Sequence, residues 1–416
     1  MGVLTDFNLD VCLADARRAS RQLAASDRNA ALYAIAGALE AYQNEILSAN
    51  AKDVAAERQK GTKEALIDRL TLTPQRVRDM AEAVRLLAKA PDPLHRVLEG
   101  WVQEDGLRIQ KVTVPFGVIG MIYESRPNVT VDAATLALKA GSASVLRGSS
   151  NALHSNRVLV RVMREAVQAG LPQDAVQLID SPDRALVTAL LEARGKVDLV
   201  IPRGGTSLIQ HVVQNAKVPT IETGVGNCHV FIDETANLAD AKAIILNAKV
   251  QRPGVCNSAE TLLVHEAVAA RFLPDALSAL ADQGVTLYAD EVARAHYSDA
   301  QPATEADWQT EYLDYKLAVK VVASVDEAVE HITTYGSQHS EAIITSDMAS
   351  ARKFQEEVDA AAVFVNASTR FTDGFAFGFG AEIGISTQKL HARGPMGLEQ
   401  IVTYKYLVEG RGQVRA

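Results

Sequence analysis

Cys256 is the residue with the most evident chemistry. It lies in Gln251-Arg252-Pro253-Gly254-Val255-Cys256-Asn257-Ser258, where a helical pattern ends, Pro and Gly break it, and an apolar run follows. Loops on a rigid scaffold favour reacting groups. A thiolate attacks an activated carbonyl because it is intrinsically nucleophilic and forms near neutral pH. A lone cysteine is also a common small core residue, and the local sequence leaves both readings open. Cys12 and Cys228 fall within a helical pattern and at a strand start, and both are read as packing.

Other polar clusters follow short apolar runs. In Tyr123-Glu124-Ser125-Arg126-Pro127-Asn128, Asn128 could donate its amide to an oxyanion, a contact typically worth about 2.7–4 kcal/mol. Arg126 could pair with a carboxylate or phosphate in a fork. Equally, Asn128 could cap the next segment and Arg126 be surface charge. In Arg147-Gly148-Ser149-Ser150, Arg147 could meet a cofactor phosphate. The absence of an acid at 150 permits a 2′-phosphate; the plain alternative is a turn capped by Ser150. Arg203-Gly204-Gly205-Thr206 joins a strand to a helix start, a place suited to phosphate, though it lacks the full G-x-G-x-x-G pattern. Glu222 opens a Gly-rich loop followed by a strand, and could be a base or an ion-pair partner. Arg370, Lys389, His391 and Arg393 make the C-terminal third locally positive. One or two of them could hold an anionic substrate. The nine histidines show no metal-ligand spacing, and no metal is expected.

The elements that must position these groups alternate. Residues 8–91 read as helical, and 96–116 as a β-hairpin turning at Glu104-Asp105-Gly106. From 117 onward, short apolar runs such as Val118 to Ile122, Leu199 to Pro202 and Cys228 to Ile232 are separated by helical stretches, among them Asp132 to Ala140 and Thr206 to Asn215. Such alternation predicts parallel sheets and an α/β fold. The polar span Val285 to Tyr312 reads as containing a long loop, and the tail run Ile401 to Val408 as an exchanged arm or strand.

The chain has 416 residues, which predicts two or three domains. Its net charge of -9, with no basic block, argues against nucleic acid. No apolar run is long enough for a membrane span, and the acidic start is unlike a signal peptide. Three widely spaced cysteines predict neither a disulfide framework nor a zinc site. A reducing cytoplasm is the expected compartment.

The order of the motifs resembles the aldehyde dehydrogenase superfamily. The versions Tyr123-Glu124-Ser125-Arg126-Pro127-Asn128-Val129, Gln251 to Thr261, Val365-Asn366-Ala367-Ser368-Thr369-Arg370-Phe371 and His391 to Leu398 are similar to its branch that reduces an acyl phosphate. The resemblance implies two parallel-sheet α/β domains plus a β-hairpin/C-terminal oligomerisation element. Residues 1–100 and 117–234 would bind NADP(H), 235–382 would carry Cys256, and 101–116 with 383–416 would assemble a homo-oligomer. It further implies that Cys256 attacks L-glutamate 5-phosphate and that NADPH reduces the thioester to glutamate 5-semialdehyde, in proline biosynthesis. Asn128 would hold the oxyanion with the Cys256 N–H. Arg126 and Arg370 would hold substrate anions. The cofactor would meet Arg147, Gly148, Ser149, Ser150, Arg203, Gly204, Gly205, Glu222 and Glu311. Arg147 stands where the superfamily has a lysine, and Ser150 where it has an acid, which favours NADPH. Glu222 aligns with a glutamate that activates hydrolytic water. Glu311 matches one that touches the nicotinamide ribose. Brief contact with glutamate 5-kinase would suit a labile substrate. Two other readings stay open: a hydrolytic semialdehyde dehydrogenase using Cys256 and Glu222, and a non-catalytic dinucleotide-binding protein.

Overall fold

The computed structural model describes residues 7–168 and 170–415; the expectations that touch residues 1–6 and 416 lie outside them. The chain forms two compact units. One comprises Met1–Glu222, Gly378–Gly384 and Met396–Ala416, the other Thr223–Phe377 and Ile385–Pro395.

In the first unit the helical stretch resolves into five helices, Leu9–Leu23, Arg28–Ala41, Gln43–Gln59, Glu64–Leu70 and Pro74–Lys89. Local chemistry sets the breaks. The Asp27 carboxylate accepts the Ala30 N–H, and the Thr73 hydroxyl accepts the Arg76 N–H just before Pro74. The parallel sheet runs in the order Val176–Leu178, Ala143–Gly148, Val118–Tyr123, Leu199–Arg203. Its two central strands are buried along their whole length, as strands covered on both faces must be. That is why they read as unbroken apolar runs. Helix Leu153–Val167 lacks a side-chain cap of its own. The buried Asp53 carboxylate, from helix Gln43–Gln59, supplies one by accepting His154 N at 3.2 Å, Ser155 N at 2.8 Å and Ser155 Oγ at 2.6 Å.

The expected hairpin pairs Val97–Val102 with Arg108–Pro115, antiparallel. The tail strand Val402–Glu409 adds to the other side of Arg108–Pro115, also antiparallel. This small sheet leaves Val97, Leu98, Trp101, Val102, Tyr404 and Val408 exposed.

The second unit holds seven parallel strands in the order Gln301–Pro302, Thr286–Ala289, Lys316–Val322, Ala259–His265, Cys228–Ile232, Ser340–Ile344, Ala362–Val365. Val230, Ile232, Leu262, Val264, Leu317 and Val319 form the centre of its core with Phe272 and Leu277 of helix Glu266–Asp282. The span 285–312 differs from the expected loop: it contains strand Thr286–Ala289 and helices Glu291–His296 and Glu305–Trp308. These elements are too short to show apolar periodicity, and caps start both helices, Asp290 on Ala293 N and Thr304 with Asp307. Among the described residues, no helix is long and apolar enough to cross a membrane.

Asp53→Ala leaves two amides and a hydroxyl without their acceptor. It is expected to cost about 2–4 kcal/mol, seen as a lower urea midpoint for the first unit with the far-UV spectrum retained.

Candidate active site

Cys256 sits between helix Leu238–Val250 and strand Ala259–His265. Asn237 caps the helix through Ala239 N and Asp240 N, and Pro253 and Gly254 end its continuation. The loop is tied on several sides. Ser258 N donates to Val255 O at 3.0 Å, and Ser258 Oγ to Ala248 O at 3.1 Å. Asn257 O accepts Thr369 Oγ1 at 2.7 Å, while Asn257 Nδ2 donates to Thr372 O at 2.8 Å. The Arg370 guanidinium donates to Asn257 Oδ1 and, from Nε, to Gln251 Oε1 at 3.1 Å. Burial, and then the neighbouring Arg252 charge, lower the Arg370 pKa.

Accessibility separates the three thiols. Cys256 is half-buried, whereas Cys12 and Cys228 are buried. Burial pushes the Cys12 thiol up to about 12 and raises Cys228 well above its ordinary value. Burial thus disfavours the thiolate at both, and leaves Cys256 the most accessible of the three thiols.

The Cys256 carbonyl is held by an earlier segment of the same unit. A Cβ added at Gly226 would lie 1.5 Å from Cys256 O, so only glycine fits there. Cys228 Sγ donates to the same oxygen at 3.2 Å. Gly226 N donates to Glu311 Oε1 at 2.8 Å. Burial raises the Glu311 pKa, opposed by that amide. Asn227 Nδ2 donates to Trp308 O and Tyr335 O, both at 2.8 Å. Its place at a strand start predicts packing for Cys228, and nothing local in the sequence marks the thiol hydrogen bond.

In the first unit, helix Pro127–Lys139 begins five residues before the expected Asp132, because Pro127 occupies the first turn. Asn128 is therefore on a helix and exposed, with Arg126 half-buried just before it. Asn128 Nδ2 donates to Asp132 Oδ2 at 3.2 Å. Desolvation raises Asp132 to about 6, against the pull of Asn128 and of Arg203. Arg203 ends its strand, and its carbonyl accepts Glu124 N at 3.1 Å. Gly204 packs on Glu124, whose Cδ a Cβ would approach to 2.6 Å. Gly205 precedes helix Thr206–Asn215 in an extended conformation with no side-chain cap. Arg147 is buried: its guanidinium donates to Gly148 O, to Pro182 O at 3.3 Å and to Asp183 O at 3.4 Å. Gly148 is buried against Asn156, Ser149 is half-buried, and Ser150 is exposed at the start of the short helix Ser150–Ala152. Half-buried Glu222 is the last residue of its stretch of the first unit.

The structure thus gathers Asn257, Arg370 and Glu311 around the Cys256 loop. Asn128, Arg147–Ser150 and Arg203–Gly205 stand at the carboxyl ends of three parallel strands, where α/β ligand sites form. Among the described residues, no group of three or more His, Cys, Asp or Glu is arranged to hold a metal ion.

The model of the aldehyde dehydrogenase family matches residues 5–290. The chain belongs to the aldehyde dehydrogenase family. It is 57% identical over 404 residues to a protein named gamma-glutamyl phosphate reductase from Moorella thermoacetica, covering 96% of this chain and 97% of that one. A protein of the same name from Thermobifida fusca is 56% identical over 418 residues, with 99% and 100% covered. The crystal structure of gamma-glutamyl phosphate reductase from Thermotoga maritima matches with a TM-score of 0.96 at 50% identity, covering 99% of this chain and all of that one. An acetylating aldehyde dehydrogenase from Geobacillus thermoglucosidasius shares the fold, with a TM-score of 0.70 at 18% identity over 98% of this chain and 97% of that one. The expected aldehyde dehydrogenase-like α/β fold is the one observed.

Two outcomes follow for this family member. Gly226→Ala forces the Cys256 carbonyl to move, and is expected to change the alkylation rate of Cys256 by iodoacetamide about tenfold or more, read by mass spectrometry. The raised Asp132 pKa means that its ionised form disfavours folding. That penalty is absent below the ordinary 3.8 and complete above about 6. The stability advantage of Asp132→Asn over wild type should therefore grow between those pH values and then level off in urea titrations.

Proposed function

We propose that this chain reduces L-glutamate 5-phosphate to L-glutamate 5-semialdehyde and phosphate through a thioester on Cys256. One observation carries the reading: Cys256 is the only cysteine that is not buried, and it sits on a pinned loop in a chain 57% identical to a gamma-glutamyl phosphate reductase. The Cys256 thiolate attacks the acyl carbon. A C–S bond forms, the bond to the phosphate oxygen breaks, and phosphate leaves with the electron pair. The Cys256 N–H and the Asn128 amide donate to the carbonyl oxygen as negative charge builds there. Arg126 and Arg370 hold the substrate's anionic groups. When the C–S bond breaks, the aldehyde departs and Cys256 returns as the thiolate.

The reductant is a nicotinamide dinucleotide, which supplies the hydride. The uncapped first turn of helix Thr206–Asn215 fits a pyrophosphate, since its N–H groups have no side-chain acceptor. Arg203, Gly204 and Gly205 hold the cofactor there, with Gly148, Ser149 and Ser150 at the carboxyl end of strand Ala143–Gly148, on the far side of Val118–Tyr123 in the sheet. The lack of an acid at 150 favours NADPH. Arg147, which also holds the turn at Pro182 and Asp183, contacts the cofactor together with Glu222 and Glu311. Hydrolysis of the thioester would waste the acyl phosphate, so Glu222 does not act as a hydrolytic base. The first unit's parallel sheet binds cofactor, the second unit carries the nucleophile, and the antiparallel sheet joins copies into a homo-oligomer. The enzyme works in the cytoplasm, with transient contact with the kinase that makes its substrate.

The reverse reaction tests this. Protein mixed with glutamate 5-semialdehyde and NADP⁺ should produce NADPH absorbance only when phosphate is present, and Cys256→Ala should abolish it. NADPH formation without phosphate would move the assignment to the hydrolytic reading.

A further inference from the structure

Lys249 is near the end of the helix that precedes the Cys256 loop, and Glu260 lies on the strand that follows it. Both side chains are fully buried, and Lys249 Nζ meets Glu260 Oε2 at 2.7 Å. Burying two charges costs several kcal/mol per ion and is tolerated when the remaining lone pairs are satisfied. The other Glu260 oxygen, Oε1, accepts the Leu313 N–H at 3.1 Å. The pair therefore joins three pieces of chain: both ends of the nucleophile loop and the segment before strand Lys316–Val322.

That segment is held in an unfavourable backbone state. Leu313 has φ +52°, a left-handed conformation that side chains other than glycine seldom adopt. Its amide has an acceptor inside the fold only because Glu260 is there. Two residues earlier, Glu311 accepts the Gly226 N–H at 2.8 Å. Gly226 in turn packs on the Cys256 carbonyl so closely that no Cβ fits. Burial pushes Glu260 up to about 7 and lowers Lys249, so each charge depends on its partner.

We propose that Glu260 is a positioning residue for the nucleophile, with Lys249 as the counter-charge that lets its carboxylate lie buried. Glu260 holds the Leu313 amide, which sets the segment whose Glu311 clamps Gly226 against the Cys256 carbonyl. The pair touches neither substrate nor cofactor; it acts through those contacts. This inference rests on Cys256 being the nucleophile, and adds how the fold sets its position.

The test compares full-length variants. Single removal of either charge strands the other, so Lys249→Met is combined with Glu260→Gln, which keeps an acceptor for Leu313, or with Glu260→Leu, which does not. Leu313→Pro removes the N–H and forbids the positive φ at an exposed position, and leaves the buried pair intact. Glu260→Leu with Lys249→Met, and Leu313→Pro, are expected to lower kcat about tenfold or more with KM within about threefold. Both should change the Cys256 alkylation rate by about threefold or more and speed amide exchange in the peptide around Gly226. Glu260→Gln with Lys249→Met should stay within about threefold of wild type in each readout. Unchanged kcat and alkylation in Leu313→Pro, or equal damage from the Gln and Leu combinations, would overturn the proposal. If the Leu combination does not fold, the contrast between Leu313→Pro and the Gln combination decides it. Alkylation and exchange are read on protein without substrate, so they remain decisive even if the wild type fails as a reductase.

Discussion

The second unit's chemistry depends on one close approach, the backbone at Gly226 lying on the carbonyl of Cys256. No side chain can be inserted there, so the two segments have a single relative placement. The Cys228 thiol and the Glu311 carboxylate complete the arrangement, one donating to the carbonyl and the other accepting the Gly226 amide. Each partner has a structural reason to stay put. Cys228 is buried, which raises its thiol pKa, and Glu311 is desolvated and already hydrogen-bonded. A loop held this way needs little reorganisation for the attack proposed for Cys256.

Buried polar groups elsewhere follow the same logic. Asp53 lends its carboxylate to a helix that has no cap. Lys139, fully buried, donates to Asn29 Oδ1 at 2.7 Å and Ala88 O at 3.0 Å. Arg147 turns inward to carbonyls of its own strand end and of the turn at 182–183. In each case a charged group that would be costly in the core has become a connector between elements distant in sequence.

Several of these features were hidden for physical reasons. Helix Pro127–Lys139 began early because a first-turn proline looks, locally, like a chain break. That shift moved Asn128 from a loop to a helix, beside Asp132. The elements within 285–312 are too short for periodicity to reveal, and their capping residues read as ordinary loop polarity. Nothing local to Arg370 in the sequence shows what its guanidinium reaches. Its guanidinium reaches Asn257 and Gln251 on the Cys256 loop, contacts that span more than a hundred residues.

The sequence by itself determined the α/β class, the hairpin, the tail strand and the loop that carries Cys256. These rest on periodicity, turn chemistry and a Pro-Gly break, all of which act over a few neighbouring residues. The order of motifs also pointed to the family. Only the tertiary structure decided which thiol is accessible, that Gly226 must be glycine, and that Lys249 and Glu260 reach Leu313. Those outcomes depend on burial and on hydrogen bonds between segments distant along the chain, where packing alone determines which side chains meet.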